Sequence, residues 1–244
     1  MKIFSCDLEQ KSVRSSLKLL QRWGVGEIFP DPCPIKARIE MGKNFARIRT
    51  IRPEVRELNN DPLPIEIRFE ERKLSNCLCG KGTVYDGPLY AELLRSQVST
   101  FDISWLKDKP VFITRDYIAS FDEREKRYHL RYAIFSFPVI ISLPGIIEAP
   151  ARPREYYIAR GLGTPIPDDL WEKALIDLKD RRLPRVLAGI LLQAWFFYET
   201  GYPFCSDAHC SLFNAHRQEE LLNAQKDKPY VLCDTHSKIL GEKR

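Results

Sequence analysis

The hydrophobic pattern divides the chain into a front half that reads as mixed strands and helices and a back half that reads as helices. Met1 to Cys6 is a short apolar run that predicts a first strand. Across Ser12 to Trp23, Val13, Leu17, Leu19, Leu20 and Trp23 recur at helical spacing, and Gly24 and Gly26 close that helix. The cluster Pro30-Asp31-Pro32-Cys33-Pro34 then breaks the pattern. From Ile35 to Thr50, and again from Pro64 to Glu70, apolar and charged residues alternate: Ile65, Ile67 and Phe69 stand against Glu66, Arg68 and Glu70. A period of two with one wet face predicts half-exposed strands. Pro88 to Ser96 predicts a short helix and Val111 to Thr114 a buried strand. Tyr128 to Phe137 and Val139 to Ser142 form a second β-rich block that takes in Gly145 to Glu148 after the Pro144 turn.

Beyond residue 148 the period changes. Glu148 to Tyr157 reads as a proline-stiffened connection whose Arg152 or Arg154 would grip a carboxylate if a cleft lay beside it. Pro167 to Lys179 starts with two acids suited to a helix N-terminus. Pro184 to Thr200 is apolar nearly all round, the profile of a helix at the centre of a domain, with Gly201 as its stop. Phe213 to Gln225 predicts one more amphipathic helix. The fold class expected is α/β, a mixed sheet packed on helices with a helical C-terminal module. Its division is 1–183 for the mixed-sheet region and 184–244 for the central helix and tail, joined as one compact unit.

Composition narrows the class. A chain of 244 residues with 44% apolar content is an ordinary globular size. Its net charge of +5 is too modest to point to nucleic acid or a membrane, and Glu54, Glu57, Glu66, Glu70 and Glu71 interleave with the bases, as on a solvated face. No apolar run reaches bilayer length, since Gly189 and Gln193 interrupt the longest one. An odd count of seven cysteines, with no targeting segment at the start, points to reduced thiols in the cytoplasm and to metal. Asn76 to Gly82 holds a Cys-x-Cys and a Gly-Lys-Gly, but it lacks both a second ligand pair and the phosphate-loop spacing, so it reads as a turn.

The informative chemistry lies in the last forty residues. Cys205-x4-Cys210 and Cys233-x2-His236 are two half-sites about twenty residues apart, the spacing of a zinc module. Three thiolates and one imidazole complete a tetrahedral shell, and a closed Cys3His set is structural in kind. His209 and His216 lie close enough in sequence to replace His236, and Asp234 is a weaker substitute.

The order Gly201-x3-Cys205-x4-Cys210-x-Leu212 followed by Cys233-x2-His236 resembles the tail of the archaemetzincins. These are metallopeptidases whose signature runs His-Glu-x2-His-x2-Gly-x3-Cys-x4-Cys-x-Met and ends in Cys-x2-Cys. Leu212 stands in place of the Met, and His236 in place of the last Cys. The resemblance implies a metzincin-like fold with a structural zinc. It also implies lost hydrolysis, because the catalytic positions fall in register on Ala194, Trp195, Tyr198 and Phe204. The chain is thus similar to a degenerate archaemetzincin, or to a related archaeal family of metallopeptidase homologues, and a peptide or protein is the expected partner. Two alternatives stand beside this. One is a zinc metallopeptidase with ligands rebuilt from Asp207, His209, His216 and Glu199, with His129 added from the sheet. The other binds nucleic acid through a basic surface.

Overall fold

The computed structural model describes residues 1–5, 11–25, 29–32, 39–52, 54–76, 83–98, 105–225 and 230–242. The first elements in chain order are β1 Lys2–Ser5, α1 Lys11–Arg22, β2 Phe29–Pro32, α2 Ile39–Arg47, β3 Thr50–Arg52, β4 Glu57–Leu58 and α3 Pro64–Asn76. Next come β5 Val84–Asp86, α4 Gly87–Val98, α5 Trp105–Asp108, β6 Val111–Thr114, β7 Tyr117–Asp122, β8 Arg127–Arg131, β9 Ala133–Ile134 and β10 Val139–Ser142. The remainder is helical: α6 Leu143–Glu148, α7 Arg154–Leu162, α8 Asp168–Ala174, α9 Leu183–Thr200, α10 Gln218–Ala224 and α11 Asp234–Glu242.

Contact density divides the chain into two units, 1–8 with 29–149 and 9–28 with 150–244. This differs from the boundary suggested at 183 and 184, because α1 pairs with α9 and draws an N-terminal stretch into the C-terminal unit.

The first unit is built on a five-stranded sheet of order β2-β1-β6-β10-β9, parallel except for the edge strand β9. Val111, Val139, Ile140 and Ile141 are fully buried, which explains why their sequence is a continuous apolar run. A second sheet, β5-β7-β8, pairs β7 parallel to β5 and antiparallel to β8. Phe45, Tyr85, Tyr90 and Phe112 anchor the core of this unit, with the first three rings meeting edge to face.

Three sequence expectations are overturned here. The alternating stretch at Pro64 to Glu70 is the start of the α-helix α3, and Ile65 is 67% exposed while Glu70 is 0% exposed. What this helix buries is charge, Glu70 with Lys73 one turn on, so a hydrophobic pattern misreads it. The face taken as solvated is in part the buried one. Of the stretch Ile35 to Thr50, the described part is the helix α2 with only Thr50 in a strand. Met41 and Phe45, four apart, enter the core from it. The third correction is Gly145 to Glu148, which lies in α6, started by the Ser142 side chain accepting from the Gly145 N–H at 2.9 Å. The Cys77-Leu78-Cys79 and Gly80-Lys81-Gly82 turn lies outside the described residues.

The second unit is helical. α9 is buried at Leu183 and from Val186 to Phe196, and α1 packs on it, with Val13, Leu17 and Leu20 buried. Gly201 ends α9 with φ at 80°, and its N–H returns to the Phe197 carbonyl at 2.8 Å. Helix α8 is shorter than expected. Its last carbonyls are taken by the Arg182 guanidinium, which donates to Trp171, Glu172 and Leu175 while pairing with Asp180 at 2.7 Å. Asp180 is held below the usual carboxylate range because the bonds from Arg182 outweigh the burial that opposes them. The expected connection before Tyr157 gives way at Arg154 to α7. Arg152 lies with its guanidinium 4.4 Å from the centre of the Tyr156 ring and donates to the Tyr156 hydroxyl.

Candidate metal centre

Cys205 and Cys210 lie at the two ends of a loop that folds back on itself. The Cys205 N–H donates to the Leu212 carbonyl at 2.8 Å, the Asn214 N–H returns to the Cys205 carbonyl at 3.1 Å, and the Cys210 N–H closes a turn on Asp207 at 3.0 Å. The Asp207 N–H also points at the Cys205 sulfur, 3.4 Å away. Cys233 immediately precedes α11, and His236 lies in its first turn. They are placed beside Cys210 by a two-way clasp: the Ser211 N–H donates to the Val231 carbonyl at 2.7 Å, and the Val231 N–H to the Ser211 hydroxyl at 3.1 Å. The edge of the Phe196 ring sets the His236 imidazole from α9, with centroids 5.1 Å apart.

The result is convergence. The ligand atoms of Cys205, Cys210, Cys233 and His236 all lie within 4.8 Å of one another. Cys205 Sγ is 3.9 Å from Cys233 Sγ, Cys210 Sγ is 3.9 Å from His236 Nδ1, and Cys233 Sγ is 3.0 Å from the same nitrogen. A regular tetrahedron with sulfur arms of about 2.3 Å has edges of about 3.8 Å, close to the two longer distances. All three thiols are free. Burial pushes the Cys210 thiol up to about 12, with the neighbouring Cys205 and Cys233 adding to the effect and backbone N–H groups opposing it. Burial also pulls the His236 imidazole below its ordinary value, toward the neutral form that ligates. A buried thiol that resists ionising, as Cys210 does, is at ease once a cation shares the charge. Every donor comes from the chain, so one tetrahedral ion would have no open position.

The other candidate ligands go elsewhere. Among the described residues, the remaining group of three such side chains is Asp122, Glu125 and His129 on the β7–β8 hairpin. There Arg127 donates to the Glu125 carboxylate at 2.8 Å, and His129 Nε2 lies 3.2 Å from it without hydrogen-bond alignment. Asp207, His209, His216 and Glu199 belong to neither group. Instead, the His209 N–H donates to Asp207 and the His216 N–H to Glu220, each at 2.9 Å, which are local turn contacts. On α9, Ala194 and Trp195 are 0% and 5% exposed and serve as packing.

The first unit also holds a buried ionic network that no motif in the chain marks. Lys73 Nζ sits 3.0 Å from Asp116 Oδ2, 2.6 Å from the Tyr85 hydroxyl and 2.9 Å from Glu70 Oε2, and lies 4.1 Å from the centre of the Tyr85 ring. The Glu70 Oε2 contact is an ion pair without hydrogen-bond alignment. Arg49 Nε and the Tyr85 hydroxyl each donate to the other oxygen of Glu70 at 2.7 Å, and the Tyr90 hydroxyl donates to Asp116 at 3.1 Å. Burial, followed by the charges of Asp116 and Glu70, raises the Tyr85 hydroxyl far above its usual range, so it stays protonated as a donor. Burial acts to lower Arg49, but the Glu70 carboxylate more than offsets it and the net direction is up. Two cations and two carboxylates balance here.

A family model matches residues 29–243, most of the chain and all four clustered donors. The chain belongs to the probable metallopeptidase family DUF6775. No curated protein matches it. The solved structure of a zinc-dependent peptidase from Methanocorpusculum labreanum aligns over 98% of this chain and 98% of that one, with 11% identity and a TM-score of 0.42.

Proposed function

We propose that this member of the probable metallopeptidase family is a non-hydrolysing, metzincin-like protein. In this reading Cys205, Cys210, Cys233 and His236 hold one structural zinc ion, and the protein binds a peptide or protein partner. The observation that carries the metal is the convergence of four donors from two segments on one point. Sulfur and imidazole suit zinc, and a full protein shell leaves no place for the water that hydrolysis needs. The loss of hydrolysis rests on α9, where the archaemetzincin-like register puts Ala194, Trp195 and Tyr198 in place of two histidines and a general base. Among the described residues no helix is long and apolar enough to cross a membrane. Free thiols at the proposed site suit a reducing, cytoplasmic setting.

Elemental analysis of the purified chain tests this directly. One zinc per chain, with no peptidase activity in the zinc-loaded protein, is the expected result. A folded chain that contains no zinc removes the metal. Peptidase activity that is lost in His216→Ala, together with a second zinc, would instead establish the rebuilt-ligand enzyme.

A further inference from the structure

The helical unit carries a long basic groove. A cavity of about 1290 Å³ runs between α1, α8, α9 and α10, and a second of about 610 Å³ adjoins it through Leu19, Arg22, Arg181 and Pro184. Eight lysines and arginines line the two cavities, against three carboxylates. The lining is therefore predominantly basic, although the total charge of the chain is a modest +5. Some of these bases are already engaged, Arg182 with Asp180 and the α8 carbonyls, and Lys173 with Asp169 at 3.9 Å. Lys18, Arg22 and Arg181 are exposed and enter no ion pair among the described residues. Beneath them the apolar lining of the larger cavity is the half-buried Leu19, over Val186 and Leu222, which are buried.

We infer that this groove binds an acidic peptide segment, with carboxylates on Lys18, Arg22 and Arg181 and an apolar side chain against Leu19. It gives the peptide-binding part of the function proposed above a place, and it is independent of the metal. Nucleic acid would share the electrostatics but not the apolar contact with Leu19. The aromatic ring within the groove, Trp23, is 6% exposed and covered by the Tyr230 ring at 4.6 Å, so it offers no face for a base to stack on.

Fluorescence anisotropy with the full chain tests the assignment, using a labelled Glu-rich peptide with one central Leu, its Lys-rich counterpart and a single-stranded oligonucleotide. Binding of the acidic peptide alone is expected, weakened about tenfold or more by Arg22→Glu with Arg181→Glu and by raising salt from about 0.05 to about 0.3 M. Replacing the central Leu by Ala should weaken it further. Circular dichroism and zinc content of the double variant should match the parent, which separates loss of the groove from loss of the fold or the metal. Acidic-peptide binding that survives charge reversal, tighter binding of the oligonucleotide, or no binding of the acidic peptide would each overturn the groove and leave the zinc assignment standing.

Discussion

Lys73 Nζ and Asp116 Oδ2 lie 3.0 Å apart with side chains only 3% and 6% exposed, an ion pair that ties α3 to the turn between β6 and β7. Each charge is tolerable because the other is there. Removing one partner of such a pair typically costs about 3–5 kcal/mol, largely by stranding the other. Asp116→Asn should fall near the lower end, about 3 kcal/mol, because Glu70 still faces Lys73. Lys73→Met should reach about 5 kcal/mol, since it leaves Glu70 and Asp116 buried with one cation between them. Urea unfolding measures both. Losses under about 1 kcal/mol would show that water reaches the pair.

For the tail, each of Cys205, Cys210, Cys233 and His236 should be needed for the metal. Cys233→Ser and His236→Ala are expected to lower bound zinc well below one per chain and to destabilise the helical unit, because a structural ion's binding energy is also folding energy. His209→Ala and His216→Ala should keep the full complement. Metal retained by His236→Ala but lost from either of the other two would reassign the fourth ligand.

α9 and the Gln225 side chain meet at Gly189. A Cβ on that residue would lie 2.2 Å from the Gln225 amide, which is itself committed at 2.7 Å to the Ser211 carbonyl, next to Cys210 in the chain. Gly189→Ala should therefore cost about 1–3 kcal/mol by overpacking. Adding Gln225→Ala should recover part of the loss, a coupling that a thermal-melt double-mutant cycle reads. Strict additivity would refute the clash.

Acid should loosen the start of α3. The Glu66 carboxylate is held below its usual range first by the Leu63 N–H at 2.7 Å and then by the Asn59 amide at 3.1 Å, with a smaller contribution from Arg49. A carboxylate with a depressed folded-state pKa adds stability above its unfolded value and loses it as pH falls through the folded one. Stability should drop as pH falls through the ordinary carboxylate range and below it, and Glu66→Gln should flatten that part of the curve. An unchanged acid limb would remove Glu66 from the account.

How far the sequence could be read depended on what each element hides. β6, β10, α1 and α9 bury carbon and announce it, as Val111 to Thr114 and Val186 to Phe196 do. The two short ligand spacings also pointed to Cys205, Cys210, Cys233 and His236, whose donor atoms lie within 4.8 Å of one another. α3 was not legible, since its inward residues are Glu70 and Lys73, which no hydrophobicity pattern marks as core, and their partners Tyr85 and Asp116 are distant in the chain. α2 was missed for a different reason. Its Met41 and Phe45 were present at helical spacing, but the alternation leading into Ile39 obscured them.

The pairing of α1 with α9 has a consequence for how the chain comes off the ribosome. Leu17 and Leu20 are made early, yet the helix that covers them starts at Leu183. At typical translation speeds that partner emerges on the order of ten seconds later. Trp23 waits longer still for Tyr230. Until then the apolar stripe of α1 lacks the cover it has in the folded unit.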